Sequence, residues 1–215
     1  IFFSKRDRAK YISHLDMNRC MTRAVRRADI PLWYTEGFNP HPYMTFLMPL
    51  PLGQTGMREP LDIRIEGEMT FSEIKKRLNA VMPEGIEIVD VAKPENKPNE
   101  IAAAEYEIDI FFLTEGEAQG FAEGAKSIIE GGILNAEKRS KKGIKTVNLC
   151  EMVRSFETET EGKKVFIKAI LASGNTVNLN AELLLNSLLS RFAAEDEERN
   201  IVRTKLLRED LSVFE

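Results

Sequence analysis

The 215 residues contain two histidines, and each sits in a string of unusual composition. His14 belongs to Ile12-Ser13-His14-Leu15-Asp16, at the expected first turn of a helix. The positive backbone field there suits a general base or a metal ligand, although a first-turn histidine bonded to the following loop fits as well. His41 belongs to Gly37-Phe38-Asn39-Pro40-His41-Pro42. Two prolines remove backbone donors and restrict the residues before them, so the segment is expected to be an extended, solvent-lapped loop. Such a loop, presenting Phe38, Asn39 and His41, suits stacking a base and reading its edge. It would serve equally as a strut that packs Phe38 over a sheet. With Asp16, the two histidines could supply a 2-His-1-carboxylate set only if the loop folds back onto the helix start. Without ligand spacing no metal site is assigned.

Other chemistries are poorly provided for. Cys20 falls on an expected apolar helix face, where a thiol is inert. Cys20 and Cys150 are far apart, which argues against a disulfide framework and for the cytoplasm. Two cysteines are also too few to hold an iron–sulfur cluster with one iron open for chemistry. No glycine-rich phosphate loop, Ser-His-Asp signature or paired-carboxylate motif stands out.

Charge gives a more extended pattern. The net charge is −4, yet residues 1–30 carry eight Lys/Arg against three Asp, a local +5 that leaves −9 for the rest. This asymmetry points to a polyanion-facing end on an acidic body. Arg19, Arg23, Arg26 and Arg27 repeat at helical spacing and can lie along a phosphate backbone. A second basic stretch, Lys138, Arg139, Lys141, Lys142 and Lys145, falls in a probable hairpin.

The elements that must position these residues are legible in outline. No apolar run reaches the ~20 residues needed to cross a bilayer, and Ile1–Lys5 lacks the apolar stretch of a signal peptide. Ile1–Ser4 reads as the end of a strand. Ser13 with Asp16 caps a helix to about Ala28, with Met17, Cys20, Met21, Ala24 and Ala28 on its apolar face. Leu32–Thr35 and Leu61–Ile65 read as strands, Phe71–Met82 as a helix capped by Thr70 and Glu73, and Ile86–Val91 as a strand. Lys93–Glu100 is polar and proline-bearing, a linker candidate. Beyond it the pattern restarts: strand 105–111, a helix from Thr114 and Glu117 to about Ile129, strand Ile133–Ala136, strand Val165–Leu171, helix Ala181–Phe192 capped by Asn180, and strand Ile201–Leu207. Thr146–Phe156 is expected to be an inserted short helix. The expectation is an α+β protein of two tandem ferredoxin-like (βαββαβ) modules with antiparallel sheets. Their bounds would be residues 1–93, carrying the Ser-His-Leu-Asp and Gly-Phe-Asn-Pro-His-Pro strings, and residues 103–215, carrying the basic hairpin.

The strings at residues 12–16 and 36–42, followed by Leu50-Pro51-Leu52-Gly53, resemble the radical SAM-linked protein family, an uncharacterised domain found beside or fused to radical S-adenosylmethionine proteins. The resemblance implies a partner rather than a reaction. The iron–sulfur cluster and S-adenosylmethionine would reside in that partner, and this chain, with no cofactor, would not be an enzyme on its own. The first expectation is therefore an accessory protein binding structured RNA, tRNA or rRNA. Arg19, Arg23, Arg26, Arg27, Lys141 and Lys142 would hold phosphates, while His14, Phe38, Asn39 and His41 line a specific pocket. One alternative is a metal-independent endoribonuclease using His14 or His41 as general base. Another is a docking domain whose arginine helix meets an acidic protein surface.

Overall fold

Helices begin in this chain where a side chain can satisfy first-turn amides that have no helical partner. The Ser13 hydroxyl oxygen accepts from the Asp16 N–H at 3.2 Å, opening α1 (His14–Arg27). Thr70 does the same for Glu73 at 3.2 Å, opening α2 (Phe71–Asn79). Thr114 and Glu117 close a reciprocal capping box at the head of α3 (Glu115–Glu130). Asn180 accepts from the Glu182 N–H at 2.9 Å at the start of α4 (Ala181–Phe192). The computed structural model describes residues 1–140, 143–192 and 196–215. These fold as a mixed α+β chain with four α-helices and antiparallel strand pairing among the described residues. It divides into two compact units, Ile1–Pro98 with Glu215, and Asn99–Phe214. No helix of the described residues is long and apolar enough to cross a membrane.

In the first unit the strands are β1 (Phe2–Lys5), β2 (Met44–Phe46), β3 (Thr55–Ile63) and β4 (Ile86–Asp90). They pair antiparallel in the order β4-β1-β3-β2, with Phe3 opposite Glu59 and Ile88, and Phe46 opposite Leu61. Met17, Met21 and Val25 of α1 and Ile74 and Leu78 of α2 are buried with Phe3, Leu61, Ile86 and Ile88 in one core. The run Leu32–Thr35, expected as a strand of the sheet, instead makes only single bridges, Leu32 to Ile65 and Tyr34 to Pro42. The sheet's second strand is Met44–Phe46, because Pro40 and Pro42 cannot donate to a ladder and regular pairing resumes only beyond them. Strand β3 also begins well before Leu61, at Thr55, with a bulge between Phe3 and Lys5 where β1 meets Gly56. Helix α2 stops at Asn79 rather than Met82; the Asn79 amide turns to the backbone of Ile88, donating at 3.0 Å and accepting at 2.8 Å.

In the second unit, β5 (Ala103–Phe111), β8 (Val153–Glu161), β9 (Lys164–Ala172) and β10 (Glu198–Leu207) pair in the order β10-β5-β9-β8. Tyr106, Ile108 and Ile110 alternate inward along β5, towards Phe121 of α3 and the leucines of α4. Gly124 of α3 carries no side chain, and the edge of the Phe192 ring occupies that space; Phe192 also meets Phe121 edge-on at 5.9 Å. A separate ribbon, β6 (Asn135–Ser140) and β7 (Gly143–Asn148), stands between α3 and β8. The expected inserted helix at Thr146–Phe156 is therefore wrong. That segment is the end of β7, one 3₁₀ turn (Leu149–Met152) and the start of β8. Strand β8 hides from a hydrophobic pattern because its outer half is Glu157-Thr158-Glu159-Thr160-Glu161, held by cross-strand neighbours such as Lys168 and Lys164.

Candidate nucleic-acid interface

Helix α1 presents its polar side outward. Arg19, Arg23, Arg26 and Arg27 are all exposed, on the flank away from Met17, Met21 and Val25. Arg19 is tied to Asp16 at 3.0 Å. Among the described residues, the guanidinium groups of Arg23, Arg26 and Arg27 have no hydrogen-bond or ion-pair partner. The Asp16 carboxyl is held below its ordinary range, first by the Ser13 hydroxyl and then by Arg19. Cys20 is half-buried, and burial pushes its thiol up despite the nearby Arg27 and Arg23, so it stays protonated at neutral pH.

The Gly37–Pro42 string forms the end of a hairpin. The Thr35 N–H donates to the His41 carbonyl at 2.9 Å, and the Tyr43 N–H to the Trp33 carbonyl at 2.9 Å. Gly37 lies at the turn with φ of 125°, in the region that favours glycine. His41 is fixed through Nδ1, which lies 3.1 Å from the Asn39 carbonyl oxygen and 3.1 Å from Thr35 Oγ1. A carbonyl only accepts, so in the neutral ring the hydrogen sits on Nδ1 and Nε2 is left as the acceptor. Phe38 is fully exposed at 108%. It is not a strut packed over the sheet, because the prolines hold the turn outward from the core.

The base of this hairpin closes on Arg64, the residue after the end of β3. The Trp33 N–H donates to the Arg64 carbonyl (2.8 Å), the Arg64 N–H to the Tyr43 carbonyl (3.3 Å), and the Tyr43 N–H to the Trp33 carbonyl (2.9 Å). Three extended segments thus share one cyclic rung. On it the Trp33 and Tyr43 rings meet edge to face at 6.1 Å, and the Arg64 guanidinium lies 4.4 Å from the centre of the Trp33 ring.

The two histidines are not brought together. His14 packs edge-on against Phe46 at 5.2 Å, and Phe46 faces the helix-covered core with Met44. Along the same extended chain, residues 41 and 43 project to the other face by strand alternation. By that alternation His14, on Phe46, lies on the opposite face of the extended chain from residues 41 and 43. Nor do the histidines and Asp16 converge. Among the described residues, no group of three or more His, Cys, Asp or Glu could hold a metal ion. In the second unit, Lys138 and Arg139 lie on β6 and Lys145 on β7, where Lys138 and Lys145 are register partners. Lys141 and Lys142 lie outside the described residues. Sequence reading missed Arg64 and Trp33 as partners, since each was seen only within its own β-prone run.

The profile of a family described as an uncharacterised protein conserved in bacteria, DUF2344, matches residues 1–181, and the chain belongs to that family. A search of curated proteins finds no match.

Proposed function

We propose that the chain is a non-catalytic RNA-binding accessory protein, holding phosphates on the outer flank of α1 and offering the Phe38–His41 hairpin to bases. The observation that carries this reading is the trio Arg23, Arg26 and Arg27, three exposed guanidinium groups without a carboxylate partner in a chain of net charge −4. An acidic protein that leaves cations unpaired along one helix keeps a local positive field, and such a field attracts phosphate without regard to sequence. Phe38, Asn39 and His41 supply an aromatic face and edge-reading groups of the kind that recognise unstacked bases.

Each unit is read as a ferredoxin-like module. In support, the first strand of each main sheet lies between the fourth and the third, with the second flanking the third, and a helix follows the first and third strands. The strings at residues 12–16 and 36–42 support a radical SAM protein as partner. The iron–sulfur cluster and S-adenosylmethionine would belong to that protein, with tRNA or rRNA as the shared substrate.

The test is binding of structured RNA at two salt concentrations, beside an Arg23→Glu/Arg27→Glu variant. Wild-type affinity should fall steeply with salt. The variant should bind at least about tenfold more weakly, with a log–log slope shallower by about 2. Equal binding by the variant, or none by the wild type at low salt, overturns the reading and leaves protein docking to be tested.

A further inference from the structure

We infer that Trp33, Tyr43 and Arg64 form a phosphodiester subsite for single-stranded RNA, adjoining the Phe38–His41 hairpin; this rests on the RNA reading and adds a contact to it. Arg64 is exposed, and among the described residues its guanidinium has no hydrogen-bond or ion-pair partner. Its Cζ instead lies over the Trp33 ring, 4.4 Å from the centroid. An exposed guanidinium without a partner keeps its N–H groups available, and its planar fork matches two oxygens of one phosphate. The cyclic backbone rung holds the three residues in place before any ligand arrives, which lowers the ordering cost of binding.

The neighbours argue for a nucleotide chain rather than a free anion. Thr35 and His41 occupy the next rung on the same face, about 7 Å along the ribbon at the usual rise of an extended chain. Beyond them stands the fully exposed Phe38 ring. A forked cation, an imidazole and an aromatic ring thus follow one another along one ribbon, the sequence of groups that suits phosphate, base edge and base face in turn. Asp62 and Glu66 lie two residues to either side of Arg64 in the chain, so the surroundings do not gather anions diffusely; the contact is a single directed one.

Trp33 is the only tryptophan in the chain, so its emission reports on this subsite. The full chain would be titrated with an oligouridylate of about eight nucleotides, and separately with inorganic phosphate and with polyglutamate. A saturable change in Trp33 emission is expected with the oligonucleotide at concentrations where the other two do nothing. Arg64→Ala should weaken that binding about tenfold, and Arg64→Lys should recover only a minor part, since it keeps the charge and loses the fork. Both variants should keep the wild-type circular dichroism spectrum. Arg23→Glu/Arg27→Glu should raise the concentration needed while leaving the emission change at saturation intact. If Arg64→Ala binds the oligonucleotide like the wild type, the subsite falls and the RNA reading stands. If inorganic phosphate or polyglutamate produces the same change, the ligand class is wrong. If the wild type binds no oligonucleotide but binds structured RNA, the subsite alone falls; if it binds neither, both fall together.

Discussion

The two units elaborate the same point of their chains differently. In each, the stretch between the first helix and the second strand of the main sheet carries an extra two-stranded ribbon. In the first unit it is the short, proline-bearing hairpin that ends at Phe38, locked to β3 through Trp33, Tyr43 and Arg64. In the second it is the regular β6–β7 ribbon, rich in lysine and anchored by one side chain at its foot. Asn148 accepts from the N–H groups of Leu134 (3.0 Å) and Cys150 (3.3 Å) and donates to the Gly132 carbonyl at 2.8 Å. One ribbon is tied down by backbone and aromatic contacts and displays an aromatic ring. The other is tied down by the Asn148 amide. On the RNA reading, the contrast would separate a stacking contact at Phe38, which salt hardly touches, from cationic phosphate contacts, which salt weakens.

The largest effect expected on this contrast is structural. Asn148→Ala should lower stability by about 2 kcal/mol, because it leaves the Leu134 N–H and the Gly132 carbonyl without their partner. Chemical denaturation measures this, and a loss within error would show that the ribbon's foot holds without the amide. Next in size is a pair of binding effects. Phe38→Ala should weaken RNA binding about tenfold with the salt slope unchanged, the signature of lost stacking. Lys141→Ala/Lys142→Ala should reduce the salt slope by about 1.4, at about 0.7 per phosphate released from a single strand. Identical behaviour of the two variants across a salt series would erase the distinction.

The smallest effect concerns α1. The Asp16 carboxylate in its first turn has a folded-state pKa below the ordinary value, owing first to the Ser13 hydroxyl and then to Arg19. The stabilisation is therefore complete above the ordinary carboxylate range and is lost as pH falls through the lowered folded value. Ser13→Ala should cost about 1 kcal/mol as the loss of a helix cap. It should also flatten that acid limb, read from denaturation midpoints across the acidic range; an unchanged limb would mean that Arg19 alone holds the carboxylate.

The helix starts were legible because capping is decided within four residues, and Ser13, Thr70, Thr114 and Asn180 each announce themselves locally. The strand β5 was legible because its inward residues Tyr106, Ile108 and Ile110 alternate without a break. Strand β8 was not, since its Thr and Glu residues owe their conformation to β9, a partner that local pattern cannot reveal. The candidate site divides along the same line. The arginine flank follows from helical spacing alone, whereas the rung joins Trp33, Tyr43 and Arg64 across two chain reversals. Local composition made His14 and His41 look like companions; the alternation of the extended chain from His41 to Phe46 sends them to different sides.

The closed rung has a consequence for how this protein can vary. Because Trp33, Tyr43 and Arg64 each both give and receive a backbone bond, none of the three segments can lift away singly, and their amides should open to solvent exchange as one cooperative unit. The turn above is mechanically insulated from the sheet below. Residues 36–40 can be lengthened, shortened or exchanged without shifting the register of β2 on β3, which makes the hairpin end an interchangeable head on a fixed socket.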